Sequence, residues 1–545
     1  MVASARASQG GILAHPVEFR VVHEAAGPPK GECRSAQREP PPVTAPLYDL
    51  LVIGGGINGT GIARDAAGRG LSVLLAEQHD LASATSSEST KLIHGGLRYL
   101  EYYEFRLVAE ALAEREVLLA NAPHIIAPLS FVLPHEPHLR PAWMIRIGLF
   151  LYDHMGGRMT LPKSFSVKLE SSRWAAGLSP RFRKGFVYAD ARVDDARLVV
   201  VNALDAQARG ADIRVHTRVA SARRDGGIWR VTLTAADGAS SEVTARALVN
   251  AAGPWVKEVL DSVREARAGE GNVRHIKGSH IVVPRIHPQE HAYILQNADQ
   301  RIVFVIPYHD RYSLIGTTDI PVASYERPAI SDDETQYLLD LANAYLERPL
   351  ARADIVWTYS GVRPLYDDGS ANPSAVTRDY VLKVDALDGA PGPERAPVLS
   401  IFGGKITTYR KLAEHALAEL APYFPQMKPA WTRNAPLPGG DLPGRDRTAW
   451  LAELARRYPQ LPAPLLRALA DRHGTRALRI LGDAQSAADL GEDFGAELTA
   501  REIDYLIAEE WATTADDVLW RRTKCGLPMS QAQRAAVAEY MAPRL

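Results

Sequence analysis

The sequence contains little cysteine and no long apolar run. Only Cys33 and Cys525 occur among 545 residues, so the sequence supports neither a disulfide framework nor a cysteine-rich metal site. No stretch approaches the ~20 uninterrupted apolar residues of a membrane-spanning helix, and we identify no signal peptide at the N-terminus. No metal site is expected, and any redox chemistry has to come from a bound organic cofactor.

An excess of charge of one sign is also missing. The chain has 63 Lys and Arg against 64 Asp and Glu, a formal net charge of −1, so no nucleic-acid partner is expected and membrane contact would need a local patch. A chain of this length predicts two or three domains. Residues 1–46, polar and rich in proline, predict a disordered extension or an over-long translated start.

An apolar strand runs into a Gly-x-Gly-x-x-Gly turn at residues 54–59, and a helical pattern follows. In such a turn Gly54 allows the tight bend, Gly56 lets a pyrophosphate approach the backbone, and Gly59 allows close packing of helix and strand. The next apolar strand ends at Glu77, placed to bind a ribose hydroxyl. This order predicts an adenine dinucleotide site, and a glycine-rich turn of an unrelated α/β unit is the alternative.

Two later strands also end in small residues, at Ala252-Gly253 and at Gly403-Gly404, which would bring backbone close to the dinucleotide. Between them lies a strand-rich stretch, residues 275–384. This interrupted layout, without a second Gly-x-Gly-x-x-Gly, is typical of a flavin enzyme more than of a nicotinamide enzyme. We therefore predict an α/β fold with a Rossmann-like FAD-binding domain of the glutathione-reductase/D-amino-acid-oxidase type, an inserted antiparallel-sheet substrate domain and a C-terminal helical domain.

The predicted domain boundaries follow the strand and helix patterns along the chain. They place a disordered extension at 1–46, an FAD-binding domain in three parts at 47–130, 191–274 and 396–435, a cap segment at 131–190, a substrate domain at 275–395 and a helical domain at 436–545.

Residues 86–100 combine hydroxyl groups, glycines and basic side chains. Hydroxyls and glycines suit close contact with a cofactor, and we expect Thr90, Lys91 and Leu92 to border the flavin ring. Arg98 suits an anionic substrate. The alternative is a polar loop that only caps the following helix.

Several long motifs together resemble the FAD-dependent, aerobic glycerol-3-phosphate dehydrogenases. Besides the turn at 54–59, they are Ser-Thr-Lys-Leu-Ile-His-Gly-Gly-Leu-Arg-Tyr-Leu at 89–100, Lys-Gly-Ser-His at 277–280, Trp-Thr-Tyr-Ser-Gly-Val-Arg-Pro-Leu at 357–365, Phe-Gly-Gly-Lys at 402–405 and Trp-Arg-Arg-Thr-Lys at 520–524. The resemblance extends from about Tyr48 to the C-terminus.

The resemblance implies oxidation of sn-glycerol 3-phosphate to dihydroxyacetone phosphate, with hydride passing from C2 to the flavin N5 and electrons passing on to membrane quinone. A homodimer is compatible with the resemblance. The resemblance also implies a set of residues that line the substrate pocket: Arg98, Tyr99, His280, Arg363, Arg378 and Lys405.

Loss of hydride from C2 also requires a base for the hydroxyl proton. His280 and His94 have an ordinary pKa suited to that task, whereas arginine is effectively always protonated. We predict His280 as the base, with His94 as the other candidate and Arg363 polarising the C2 oxygen. A structural role is the alternative for either histidine.

Quinone is lipid-soluble, so the enzyme would touch a bilayer without spanning it. The short apolar piece Trp143–Leu151, flanked by basic residues, suits an interfacial helix beside anionic lipid. A buried helix of the substrate domain is the alternative. The expected location is cytoplasmic, peripheral on the inner face of the cytoplasmic membrane.

Three other functions remain open from the sequence. A glycerol-3-phosphate oxidase would pass electrons to oxygen and release hydrogen peroxide. An amine-oxidising flavoenzyme would share the fold but not a pocket with four basic residues. A flavin-binding module without catalysis would not need His280, Arg363 and Lys405 in their motifs.

Overall fold

Two β-sheets, each assembled from distant parts of the chain, form the framework of the protein. The computed structural model describes residues 45–136, 140–264, 272–297, 301–367 and 379–544. Residues 1–44 of the predicted extension lie outside the described residues. Strands and helices of the described residues are numbered in chain order.

The first sheet contains β1 (Leu47–Ile53), β2 (Val73–Ala76), β7 (Asp212–Arg214), β8 (Thr217–Asp225), β9 (Ile228–Ala235), β10 (Ser240–Asn250), β11 (Val263–Arg264), β18 (Val381–Asp385) and β19 (Val398–Phe402). The second sheet contains β3 (Leu92–Ile93), β4 (Ile126–Pro134), β5 (Phe165–Lys168), β6 (Lys184–Val193), β12 (Asn272–Pro284), β13 (His291–Gln296), β14 (Ile302–Tyr308), β15 (Tyr312–Gly316), β16 (Ile320–Pro321) and β17 (Trp357–Asp367). The helices are α1 (Ile57–Gly68), α2 (Phe105–Asn121), α3 (Ala142–Met155), α4 (Asp195–Ala208), α5 (Val256–Ser262), α6 (Asp332–Asn343), α7 (Tyr409–Leu420), α8 (Arg447–Arg457), α9 (Ala463–His473), α10 (Ala477–Leu481), α11 (Ala500–Glu510) and α12 (Gln531–Met541).

The centre of the first sheet is parallel. β1 pairs with β2 on one side and β10 on the other, β7 extends the sheet beyond β2, and β19 pairs with the end of β10. Leu51 pairs with Leu74 and Leu248, and all three side chains are fully buried. Helices α1, α4 and α7 pack together. Because parallel strands all end at one edge of a sheet, the turns after β1, β2, β10 and β19 meet there.

The second sheet is mainly antiparallel, and β12 lies between β17 on one side and β15 and β16 on the other. Side chains alternate along a strand, so β12 has two different faces. Ile281 and Val283 pack with Leu338 of α6, whereas Val282 packs with Leu112 of α2 on the opposite face. His280 shares the face of Val282, away from α6.

β3 and β4 belong to the second sheet, and here the structure differs from the predicted division, which placed residues 47–130 in the FAD-binding domain. The reason is that an apolar strand pattern predicts a strand but does not indicate which partner it pairs with. β3 pairs with β6, and β4 pairs with both β6 and β13.

The C-terminal part is helical, as predicted. Helices α8–α12 surround a separate apolar core that includes Trp450, Leu469 and Leu506. A short π-helical turn, Asp517–Arg522, lies between α11 and α12 and contacts α4. In the described part of the chain, no helix is both long and apolar enough to cross a membrane.

Candidate active site

The turn after β1 is so tight that two of its glycines have no room for a side chain. Gly54 has a φ of +112°, and a Cβ there would lie 2.6 Å from the carbonyl oxygen of Ala251. A Cβ on Gly59 would lie 1.9 Å from the carbonyl oxygen of Gly54, so α1 packs directly on the turn. Gly56 is the N-cap of α1 and borders a cavity. The turn therefore presents bare backbone at a helix N-terminus, where a pyrophosphate binds well.

A cavity of about 270 Å³ lies at the edge of the first sheet where the parallel strands end. Its lining includes residues from the turns after β1, β2, β10 and β19. The Asn58 side-chain amide donates to the carbonyl oxygen of Gly403 at 3.2 Å and so joins the first of these turns to the last. Of the predicted cofactor-binding residues, those that line the cavity are Gly54, Gly56, Glu77, Ala252, Gly253, Gly403 and Gly404.

Glu77 gives this cavity a carboxylate at the end of β2. One of its oxygens accepts a hydrogen bond from the Gly55 N–H at 2.6 Å, and the other accepts one from the His79 N–H at 2.8 Å. Burial raises the pKa of Glu77, while these two N–H groups act in the opposite direction. Bare glycine backbone for a pyrophosphate and a carboxylate for a ribose fit the adenosine half of a dinucleotide.

Residues 90–92, predicted to border the flavin ring, are held by a buried ion pair. The Lys91 ammonium lies 2.9 Å from the Asp195 carboxylate, and both side chains are buried. Leu92 is buried at the start of β3. These two side chains thus face the protein and lie outside the lining of the 270 Å³ cavity. Thr90 instead contacts another candidate residue, His280.

His280 lies on β12 between an aromatic ring and a glycine. Its ring stacks on Tyr359 of β17, with ring centres 4.6 Å apart. On β15 a Cβ at Gly316 would lie 2.1 Å from the His280 ring, so only glycine leaves space there. Nε2 lies 3.0 Å from the Thr90 hydroxyl oxygen. Nδ1 is buried and has no hydrogen-bond partner in the described part of the chain.

The charge state of His280 follows from these surroundings. Burial, reinforced by the positive charges of Lys91 and Arg363, holds the pKa of His280 well below its ordinary value of 6.5. The imidazole is therefore neutral near pH 7 and able to accept a proton. Arg363 lies on the neighbouring strand β17, and its guanidinium pairs with Asp319 at 2.8 Å. That partner orients the guanidinium, whose N–H groups can donate hydrogen bonds.

The other predicted substrate residues form a second group. The Lys405 ammonium lies 3.7 Å from the ring centre of Tyr99, and the His94 N–H donates to the hydroxyl of Thr407, two residues beyond Lys405. Burial lowers the pKa of His94. The His94 ring packs edge-on against Phe304 of β14. Phe304 pairs with Gly316 of β15, the glycine that faces the His280 ring.

Arg98 is the predicted substrate residue that the structure places elsewhere. It lines a different cavity of about 150 Å³, next to α3. Arg378 lies outside the described residues.

Sequence reasoning missed two residues of the site. The Ser86 hydroxyl accepts the N–H of Ile57 at 3.0 Å and so occupies the N-terminus of α1. Ser86 lies in segment 86–100, whose hydroxyl groups indicate close contact with a cofactor, so the sequence contains a signal for this role. No sequence signal marks Asp319, because only the pairing of β16 and β17 with β12 brings its carboxylate to Arg363.

Two family models match most of the chain. The model of the FAD dependent oxidoreductases matches residues 49–410, and that of the C-terminal domain of alpha-glycerophosphate oxidase matches residues 430–545. The first match covers the segments that form both sheets, and the second covers the helical part. With the solved structure below, these matches confirm the predicted fold class.

Relatives match over nearly their full length. A glycerol-3-phosphate dehydrogenase of Pseudomonas aeruginosa is 55% identical over 91% of this chain and 95% of its own. A D-erythritol 1-phosphate dehydrogenase of Brucella abortus is 50% identical over 90% of this chain and 97% of its own. The crystal structure of a glycerol-3-phosphate dehydrogenase from Bacillus halodurans, complexed with FAD, superposes with a TM-score of 0.73 at 27% identity, covering 91% of this chain and 90% of that one.

Proposed function

The chain belongs to the family of FAD-dependent glycerol-3-phosphate dehydrogenases, and from this premise we propose that it oxidises sn-glycerol 3-phosphate to dihydroxyacetone phosphate. The observation that carries the proposal is the near-full-length identity with a glycerol-3-phosphate dehydrogenase. That identity spans the dinucleotide cavity and the strands that carry His280 and Arg363.

The cavity fits the adenosine half of FAD, and FAD, when bound, would supply at its N5 the acceptor for the hydride that leaves C2 of the substrate. Residues of the chain remove the hydroxyl proton and bind the substrate oxygen. Neutral His280 takes the proton of the C2 hydroxyl, and the Arg363 guanidinium donates a hydrogen bond to the C2 oxygen. Binding of an anionic substrate offsets the positive charges of Lys91 and Arg363, which raises the pKa of His280 as the reaction begins.

The phosphate of the substrate needs cationic partners. Lys405 and Arg363 lie on segments next to His94 and His280, and they provide the ammonium and guanidinium groups for this role. Arg378, which lies outside the described residues, stays in the proposed set, whereas Arg98 lies at the separate cavity next to α3. Guanidinium and ammonium groups form the strong, charge-assisted hydrogen bonds that hold phosphate esters. This requirement favours a phosphorylated polyol over an amine as the substrate.

Flavin reduction tests this activity directly. We expect anaerobic addition of sn-glycerol 3-phosphate to the purified holoenzyme to bleach the flavin absorbance, while unphosphorylated glycerol leaves it unchanged. Stopped-flow absorbance spectroscopy gives the rate. Because a close relative acts on another polyol phosphate, D-erythritol 1-phosphate is the matched comparison. Faster bleaching by that compound, or none by either, would contradict the proposal.

The electron acceptor separates the dehydrogenase from an oxidase. We propose membrane quinone as the acceptor, so a soluble quinone should reoxidise the reduced flavin much faster than oxygen does. Stoichiometric hydrogen peroxide in air would instead favour the oxidase.

An apolar surface on α3 supports contact with a membrane. Trp143, Ile147 and Phe150 are 63%, 52% and 56% exposed, and their spacing places them on one side of the helix. The opposite side is buried at Leu149 and Tyr152. We call Trp143, Ile147 and Phe150 the α3 face. A helix with this exposed face can lie in the interfacial layer of a bilayer, which accords with a peripheral location on the cytoplasmic membrane.

The 150 Å³ cavity next to α3 supports quinone as the partner. Most of its lining is apolar, including Leu100, Met144, Ile145 and Ile302. Arg98 and Arg140 contribute cationic groups to the wall, and Glu101 contributes a carboxylate that pairs with Arg140. An apolar cavity with a few polar groups beside a membrane-facing helix suits the ring of a lipid-soluble quinone.

The α3 face can be tested by vesicle binding. Combined substitution of Trp143, Ile147 and Phe150 by Gln should lower binding to vesicles of phosphatidylethanolamine and phosphatidylglycerol roughly 100-fold, since each side chain contributes about 1 kcal/mol. Co-sedimentation measures the change. Leu47→Gln, at a 46% exposed apolar residue of the first sheet, is the matched control. Equal sedimentation of the triple variant and the wild type would refute membrane docking through α3.

A further inference from the structure

The motif Trp-Arg-Arg-Thr-Lys at 520–524 has no part in the proposed chemistry, yet it lies where the C-terminal domain meets the rest of the protein. Residues 517–522 form a π-helical turn, a rare conformation that is frequent at functional sites. Three side-chain contacts of residues 520–524 lead toward the candidate active site.

The first contact reaches the dinucleotide cavity. Arg521 and Arg522 both bind the carboxylate of Asp80, at 2.6 and 2.7 Å, and Asp80 is 2% exposed. Asp80 lies in the loop after β2, between His79 and Ala82, both of which line the cavity. The Ala82 N–H donates to the carbonyl oxygen of Gly55, so this loop is also tied to the glycine turn.

The second contact reaches His280 through a stack of aromatic rings. The Trp520 ring stacks on Trp357 at 5.1 Å, Trp357 lies 5.1 Å from Tyr359, and Tyr359 stacks on His280 at 4.6 Å. Trp520 is thus the outermost ring of a continuous column that ends on the proposed base. This column keeps one side of His280 away from water.

The third contact runs through two adjacent acids at the start of α4. Lys524 pairs with Asp194 at 3.1 Å, and the next residue, Asp195, holds Lys91 and the Ser89 hydroxyl. Residue 90 between them contacts His280. The same C-terminal motif therefore supports the Tyr359 side and the Thr90 side of the histidine.

We propose that residues 520–524 are positioning residues for the active site, by which the C-terminal domain fixes the cavity loop at Asp80 and the surroundings of His280. This role rests on the proposed function in taking His280 as the base. The C-terminal domain then does more than add stability, because its contacts limit the access of water to His280 and hold the loop at Asp80 in position.

Trp520→Leu tests the aromatic column. Loss of the ring should uncover Trp357 and let water enter the column toward Tyr359 and His280, so the acid limb of kcat/KM should move up by about one pH unit toward 6.5. The charged groups around His280 are Lys91 on the loop before β3 and Arg363 on β17, and the variant changes neither. Trp520→Phe keeps an aromatic ring and should restore the wild-type profile. Trp450→Leu, in the core of the same domain, should lower the melting temperature without moving the limb.

Arg521→Gln tests the loop at Asp80 without measuring turnover. We expect the dissociation constant for FAD, measured by flavin fluorescence, to rise about tenfold. Arg476→Gln is the matched control, because Arg476 has a similar exposure and, among the described residues, pairs within the C-terminal domain, with Tyr505 and Glu509.

The proposal is overturned if Trp520→Leu and Trp450→Leu both lower the melting temperature and leave the acid limb unchanged. It is equally overturned if Arg521→Gln and Arg476→Gln bind FAD alike. Failure of the proposed function would look different, since wild-type flavin would not be bleached by substrate while the FAD affinities of the variants could still be compared.

Discussion

Substitution of His280 by Asn should lower kcat by roughly two to four orders of magnitude while FAD stays bound. Asn is close in size to His and can still hydrogen-bond the Thr90 hydroxyl, but its amide cannot take a proton. His280 is 2% exposed and lies outside the lining of the dinucleotide cavity, so the loss should fall on turnover rather than on cofactor affinity. Steady-state kinetics and the flavin absorbance of the purified variant measure both.

The pH dependence of this effect has a definite sign. A base acts in its neutral form, and burial with Lys91 and Arg363 holds the pKa of His280 well below 6.5. The wild-type kcat/KM should therefore be lost only as pH falls below 6.5, and this limb should be absent in His280→Asn. The substrate phosphate titrates equally in both assays, so the difference between the two profiles isolates the histidine.

Two further variants make the result specific. His291→Asn changes a histidine of the same sheet that is equally buried, 2% exposed, and bonded to Tyr293, so it should affect stability more than turnover. His94→Asn removes the competing candidate base. If His94→Asn loses turnover with its acid limb while His280→Asn retains both, the assignment of the base to His280 is wrong.

Local pattern was enough to predict the central elements of the fold. Helix α4 begins at a capping residue, because the Asp194 side chain accepts the Arg197 N–H. The strand predicted to end at Gly403-Gly404 is β19, which is buried throughout. In both places a capping residue, or a short apolar run bounded by turn residues, settles the element locally.

What the sequence could not predict depends on pairing between distant strands. Strand β4 joins β13, although more than 150 residues separate them, and no residue of β4 indicates that partner. The same limit applies in the site, where Asp319 reaches Arg363 only because β17 and β16 both flank β12. The motifs predict His280 as a site residue, but they do not indicate that Gly316 and Tyr359 enclose its ring.

Gly59→Ala should yield a protein without FAD, or one that binds FAD roughly 10- to 100-fold more weakly. The added methyl group would lie 1.9 Å from the carbonyl oxygen of Gly54, a backbone atom that cannot rotate away. Either α1 moves outward or the turn changes shape, and overpacking of this kind costs about 1–3 kcal/mol or more. Each 1.4 kcal/mol corresponds to tenfold in affinity. Flavin absorbance of the purified variant and titration with FAD measure the loss.

The position of the methyl group, rather than the loss of a glycine, decides this result. At Gly56 a methyl group would lie 3.1 Å from the Ser86 hydroxyl and at the cavity where the pyrophosphate would bind, so Gly56→Ala should leave α1 in place but still weaken FAD binding. Gly392→Ala is the control, since a Cβ there would meet nothing within 4 Å. If Gly59→Ala binds FAD as tightly as the Gly392 variant, α1 does not need to pack directly on the turn. The pyrophosphate would then be held by other groups than the N-terminus of α1.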